Sequence, residues 1–223
     1  SVTIDITCPE GQEIIRKLAR QSDVLIENYK VGGLAKYGLD YHSLSKINPK
    51  LIYCSITGFG QTGPYANLPG YDFLIQGMGG LMSVTGEPDD PEKGTGSPMK
   101  VGVAVTDLFT GLYASNAIQA ALIERQTSGL GQYIDLALLD VQTATLANQA
   151  SNYLVGGLVP ERLGNAHPNI VPYQAFSSSD GHIIIAVGND RQFTRLCDVI
   201  EQAALAEDPR YIKNADRVNN RES

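Results

Sequence analysis

Apolar residues recur at two different spacings along this chain, and the alternation between them outlines its elements. Residues 2–6 (VTIDI) alternate apolar with polar and predict a strand. Pro9 follows, where a first helical turn tolerates proline, and Ile14, Ile15, Leu18 and Ala19 then form a stripe at helical spacing. Residues 23–27 (DVLIE) are a short apolar run of the buried-strand kind. Residues 41–47 predict a short helix closed by Asn48-Pro49, and residues 51–57 (LIYCSIT), rich in β-branched and aromatic side chains, a further strand. Strands separated by helices imply right-handed crossovers and a parallel sheet with helices on its faces, which is an α/β fold.

The texture loosens over residues 58–100, and the Gly-, Pro- and acid-rich stretch 86–96 (GEPDDPEKGTG) reads as a surface loop. A long helix is expected from about Asp107 to Arg125, ended by Ser128-Gly129. A strand at 132–136 and a helix over 138–155, broken by Gly156-Gly157, follow. Beyond Pro160 the pattern changes: residues 173–177 and 182–187 flank Ser179-Asp180-Gly181, whose Asp-Gly pair is a hairpin signal. Antiparallel pairing after an α/β run predicts two domains, one over residues 1–160 and a smaller one beginning near 165 and running to 223. No closing element is evident in the last residues.

Composition narrows the function classes. Hydrophobic residues make up 43% and charged residues 18%, which fits a globular chain and excludes disorder. A net charge of −7 provides no general pull toward nucleic acid or an anionic membrane, and no apolar run reaches the length of a membrane helix. The first residues show no basic region followed by an apolar stretch. Cys8, Cys54 and Cys197 lie far apart with no CxxC pair, which predicts a reducing intracellular compartment, and His42, His167 and His182 are too scattered to suggest a metal site.

Four segments carry candidate chemistry. Asp107 sits at the start of the long apolar helix, where unpaired amides and the helix dipole favour a charged carboxylate; position alone favours a plain N-cap over a nucleophile. Asn28, Tyr29 and Lys30 end a predicted strand, the position at which open α/β sheets bind ligands, and offer an amide, a stacking face and a phosphate-pairing cation. A strand-end turn would use the same residues. The glycine-dense run 58–64 (GFGQTGP) suits a loop around a ligand or an ordinary turn, and no GxGxxG or Walker A pattern is present. His167, in GNAHP, is a candidate acid or base without a partner nearby in sequence.

Five stretches together resemble the class III coenzyme A transferases, also called the CaiB/BaiF type: DVLIENYKVGGLAKYGLDY, LIYCSITGFGQTGP, GYDFLIQGMGGLMSVTG, the run from VGVAVTDLFTG to YIDLALLD, and GNAHPNIVPYQAFSSSDGHIIIAVGN. Within that family the chain is most similar to members acting on dicarboxylates such as succinate, glutarate and hydroxymethylglutarate. The resemblance implies a Rossmann-like CoA-binding large domain, the beginning of a small α+β domain, and an intertwined homodimer. It implies that Asp107 is the nucleophile, passing through an aspartyl anhydride and an aspartyl-CoA thioester, with coenzyme A as substrate and no separate cofactor. It places Asn28, Tyr29, Lys30, Lys36, Leu68, Pro69, Gly70 and Tyr71 against CoA. A dicarboxylate needs a cation or donors near its far carboxylate, and His167 is a candidate for that contact. Lys36 stands where relatives carry Arg, and GNAHPN replaces a glycine run, which argues against formate and oxalate. A cytoplasmic enzyme, or a mitochondrial one in a eukaryote, is implied. Relatives are longer at both ends, so this is expected to be part of a longer chain. Two other readings compete. An α-methylacyl-CoA racemase has a histidine where Tyr71 stands, and a phenol is a poor base at neutral pH. A non-catalytic CoA-binding scaffold would keep residues 28–30 and leave Asp107 unreactive.

Overall fold

Three parallel strands carry the first part of the chain in a computed structural model that describes residues 1–90, 92 and 95–223. Helix α1 (Pro9–Gln21) starts with proline at its first position, capped by the Cys8 sulfur, which accepts from the Gly11 amide. Only part of its apolar stripe is covered: Ala19 is buried and Ile15 packs on the core, whereas Ile14 and Leu18 are exposed. Strands β1 (Val24–Glu27), β2 (Ile52–Thr57) and β3 (Tyr133–Ala137) then align in the order β1-β2-β3, with Val24 opposite Ile52 and Tyr53 opposite Tyr133. β2 lies in the centre with both neighbours, and its continuous apolar run is almost wholly buried, as a strand covered on both faces requires. Helix α2 (Tyr41–Ile47) ends at Asn48, whose amide nitrogen donates to the carbonyls of Ala19 and Ser22 and ties it to α1.

One face of the sheet is closed by Ala19, Leu34, Leu39, Leu44, Leu51 and Tyr53. The Tyr53 hydroxyl, buried, donates to the Leu39 carbonyl at 3.0 Å. Tyr41 of α2 stacks on Tyr133 with ring centroids 5.0 Å apart. The long helix α4 (Val105–Ser128) packs on β2 and β3 through a side made of small residues, Thr110, Ala114 and Ala121, which lets helix and sheet approach closely. Gly129 in the left-handed conformation ends it. Arg125 in its last turn reaches the Asp23 carboxylate at 2.7 Å and the Lys50 carbonyl at 2.9 Å. Leu108, Leu112 and Ile123 stay exposed on its outer side.

Several expectations need correction. Residues 2–6 form no strand: Val2 is exposed, and the Asp5 carboxylate accepts both the amide and the hydroxyl of Thr7, which turns the chain instead of extending it. A helix, α3 (Asp72–Met78), lies in the stretch that read as irregular. The helix expected over 138–155 is two helices, α5 (Leu138–Thr145) and α6 (Asn148–Leu154), separated at Ala147, which takes a positive φ of 49°. Of the acidic loop 86–96, residues 91, 93 and 94 lie outside the described residues.

The chain divides into two compact units, Ser1–Met82 with Lys100–Val159, and Ser83–Met99 with Pro160–Ser223. The second is thus assembled from separate stretches. Its hairpin, β4 (Tyr173–Ser177) and β5 (His182–Ala186), turns at Asp180-Gly181, where the Ser178 amide donates to the Gly181 carbonyl. Helices α7 (Asp190–Val199) and α8 (Asn214–Asn219) follow, neither foreseen from the sequence. Residues 83–99 join this unit because the Gly164 amide donates to the Gly86 carbonyl and Arg162 pairs with Asp89. Its anchor is Arg217, 1% exposed, which donates to the carbonyls of Val171, Tyr211 and Ile212 and to Asp190, with its guanidinium over the Phe193 ring. Among the described residues, no helix is long and apolar enough to cross a membrane.

Arg217→Ala leaves those carbonyls without donors. The expected cost to the second unit is about 2–4 kcal/mol. Hydrogen exchange should show faster amide exchange in α7 and α8, with β2 of the first unit unchanged.

Candidate functional site

The carboxyl end of β1 is held against β2 by side chains that the strands themselves position. The Glu27 carboxylate accepts from the Ser55 hydroxyl with one oxygen and from the Tyr29 amide at 2.7 Å with the other. The Tyr133 hydroxyl donates to Ser55 at 3.2 Å, so a polar chain crosses all three strands. Asn28 donates its amide nitrogen to the Ile56 carbonyl at 2.6 Å. That bond uses the donor half of the amide expected to meet a ligand and leaves its oxygen available. Tyr29 turns its ring outward and is half exposed.

Opposite this segment runs the loop that follows β2. Gly58 and Gly70 meet backbone to backbone: a Cβ on Gly58 would lie 2.4 Å from the Gly70 Cα, and one on Gly70 would lie 2.3 Å from the Gly58 Cα. Only glycine at both positions permits that approach. It closes a cleft of about 280 Å³ whose walls include Asn28, Tyr29 and Lys30 on one side and Leu68, Pro69, Gly70 and Tyr71 on the other. The structure therefore brings together seven of the residues singled out from the sequence, from segments some forty positions apart. Lys36 does not line this cleft; it sits in the 3-10 turn Ala35–Tyr37 with its ammonium 4.6 Å from the Tyr37 ring centre.

Asp107 is not the N-cap of its helix. α4 begins at Val105, which places Asp107 at its third residue, and Ala104 at the cap position contributes no side-chain bond. The cap comes from a different helix. Asp72, at the start of α3, accepts from the Thr106 amide at 2.8 Å and from the Asp107 amide at 3.3 Å through one oxygen. Its other oxygen accepts from Gln76, four residues on and fully buried, whose own oxygen receives the Val101 amide at 2.9 Å. Buried Gln142 of α5 accepts from the Thr106 hydroxyl at 2.6 Å. These side chains satisfy the first turn of α4 from below.

The Asp107 carboxylate is left exposed, without a hydrogen bond or ion pair among the described residues. Partial burial, and then the negative charge of Asp72, raise its proton affinity above that of an ordinary aspartate. The direction is opposite to the one expected of a lone carboxylate at a helix start, with burial as the larger cause and the Asp72 charge as the smaller. Asp72 was not singled out from the sequence. Its spacing to Gln76 fits one helical turn, but the surrounding stretch gave no helical pattern strong enough to expose the pair.

His167 belongs to the second unit. Its Nδ1 accepts from the Asn169 amide at 3.1 Å, and its ring meets Tyr173 edge to face at 5.3 Å between centroids. The Arg221 guanidinium donates to the His167 and Pro168 carbonyls, which fixes the loop backbone. The local turn thus takes one ring nitrogen and leaves Nε2. Among the described residues, no cluster of three or more His, Cys, Asp or Glu side chains is arranged to hold a metal ion.

The profile of "CoA-transferase family III" matches residues 1–223. A succinate–glutarate CoA-transferase of Agrobacterium fabrum is 61% identical over 218 residues, covering 98% of this chain and 53% of that protein. A succinyl-CoA:glutarate CoA-transferase of Mus musculus is 46% identical over 221 residues, covering 99% of this chain and 49% of that protein. The crystal structure of a CaiB/BaiF family protein from Brucella suis superposes with a TM-score of 0.81 at 58% identity, covering 99% of this chain and 57% of that one. The chain thus spans about half the length of the curated relatives it matches.

Gly70→Ala forces the two loop backbones apart. The expected result is a loss of about 1–3 kcal/mol in denaturant unfolding.

Proposed function

As the chain belongs to CoA-transferase family III, we propose that the full-length protein moves coenzyme A from an acyl-CoA to a carboxylic acid, with Asp107 as the nucleophile. The observation that carries this reading is the uncapped Asp107 carboxylate at the start of α4, whose structural duty Asp72 has taken over. A capping aspartate would have its oxygens engaged by amides; this one is available to attack.

The chemistry is an exchange of activated acyl bonds. A carboxylate oxygen of Asp107 bonds to the thioester carbonyl carbon while the carbon–sulfur bond breaks, giving a mixed anhydride and CoA thiolate. The thiolate attacks the aspartyl carbonyl, forming aspartyl-CoA thioester and releasing the first acid as its carboxylate. The acceptor carboxylate then attacks the aspartyl thioester, giving a second anhydride and free thiolate. Attack of that thiolate on the acceptor's carbonyl restores the Asp107 carboxylate and yields the new acyl-CoA. Each bond broken is matched by one of similar energy, so the sequence needs no separate cofactor.

The cleft between residues 28–30 and 68–71 is the proposed path for CoA, with Lys30 pairing a phosphate and Tyr29 providing a stacking face. The first unit is then the CoA-binding domain. Lys36, exposed on its turn outside that cleft, is the proposed partner of a further CoA phosphate. The identities of 61% and 46% to transferases named for succinate, succinyl-CoA and glutarate support dicarboxylates as the acids exchanged. His167 is the proposed contact for the acid substrate. The uncovered apolar side of α4, with Leu108 and Leu112 exposed, fits assembly as a homodimer, and three free cysteines fit a reducing cytoplasmic setting.

Incubating the full-length enzyme with succinyl-CoA should place a covalent adduct on the peptide containing Asp107, read by mass spectrometry. Asp107→Asn should lose transfer to glutarate by roughly a thousandfold or more. Normal transfer by that variant, or α-carbon deuterium exchange without an acceptor acid, would sink the proposal.

A further inference from the structure

A nucleophilic carboxylate on the first turn of a helix meets a conflict. The amides and dipole that stabilise its negative charge also make it a weaker nucleophile, since a more stabilised anion has less to gain by forming a bond. The geometry around α4 resolves it. Asp72 reaches over from α3 and places one oxygen between the amides of Thr106 and Asp107, at 2.8 and 3.3 Å. Its second oxygen is fixed at 2.7 Å by the fully buried Gln76, so the carboxylate cannot swing away. Thr106 itself is fully buried and pinned through its hydroxyl to Gln142.

We propose that Asp72 is a positioning residue for Asp107: it consumes the helix-end amides and holds a negative charge beside the Asp107 carboxylate, which keeps that carboxylate uncapped and reactive. The inference rests on the reading of Asp107 as the nucleophile. Charged and titratable side chains on the elements packed against α4 are Asp72 of α3, Asp140 of α5, Tyr53 and Cys54 of β2, and Tyr133 and Asp135 of β3. Of these, Asp72 is the one whose charge raises the proton affinity of Asp107, after the effect of burial. A neutral cap in its place would satisfy the same amides and remove the charge. Capping and charge are therefore separable by substitution.

Asp107 must be deprotonated to attack, so activity falls as pH drops through its raised proton affinity. Removing the neighbouring charge lowers that affinity and moves the acid limb of the profile to lower pH. In the full-length enzyme, Asp72→Asn keeps an acceptor oxygen for the amides and loses the charge. The expected result is an acid limb of kcat/KM displaced to lower pH, with acylation of Asp107 near neutral pH slowed by roughly tenfold. Asp72→Glu, which keeps the charge, should leave the limb in place. If Asp72→Asn does not fold, Asp72→Ser provides a neutral oxygen of the type favoured at helix starts and is read in the same way. A slower enzyme whose acid limb does not move would show Asp72 to be a cap alone and overturn the proposal. An active Asp107→Asn enzyme would instead overturn the nucleophile assignment on which it rests.

Discussion

The contact between the Asp72 carboxylate and the first amides of α4 governs the site. A helix start exposes unpaired N–H groups, and some acceptor has to meet them. Were that acceptor Asp107, its oxygens would be turned back onto the helix. Because Asp72 arrives from α3, braced by Gln76 and beside the Thr106–Gln142 bond, the helix is capped and Asp107 is released. The same contact links two parts of the first unit: Tyr71, a wall of the strand-end cleft, immediately precedes the residue that caps α4. The cleft wall and the start of α4 are therefore joined through one side chain.

The sheet supplies the other half of the positioning. Glu27 stands directly opposite Ser55, and Tyr133, two residues before the β3 position that pairs with Ser55, reaches it through its hydroxyl, so the three form a polar chain across three strands. This chain fixes the turn out of β1, so residues 28–30 leave the sheet in one direction. The Gly58–Gly70 contact then sets the opposite wall at a separation that no larger residue would permit. One device is a side-chain chain and the other a close backbone contact, and together they fix the two walls of the cleft.

Local pattern carried far in some places and failed in others. β2 was readable because a central strand is apolar throughout, and α2 because Asn48-Pro49 closes it at a defined point. The hairpin β4–β5 followed from one Asp-Gly pair. Residues 2–6 misled because alternation is necessary for a half-buried strand and does not provide a partner to pair with. α3 was hidden by the glycines around it, and α7 and α8 by strongly polar sequence whose stability comes from Arg217 and from burial of Phe193 and Cys197. The break at Ala147 has no glycine or proline to announce it.

From its sequence alone, this chain determined its class and its chemistry-bearing segments: parallel α/β order, a helix near Asp107 and the strand-end residues 28–30, with 68–71 added only by the family resemblance. Those features follow from local spacing and from motifs, which are properties of contiguous residues. The state of Asp107 was decided only by tertiary structure. Whether a carboxylate at a helix start is a cap or a free nucleophile depends on whether another acceptor reaches the same amides, and Asp72 lies 35 positions away. The sequence pattern could not contain that answer, because the electrostatics of a carboxylate are set by what folding places beside it.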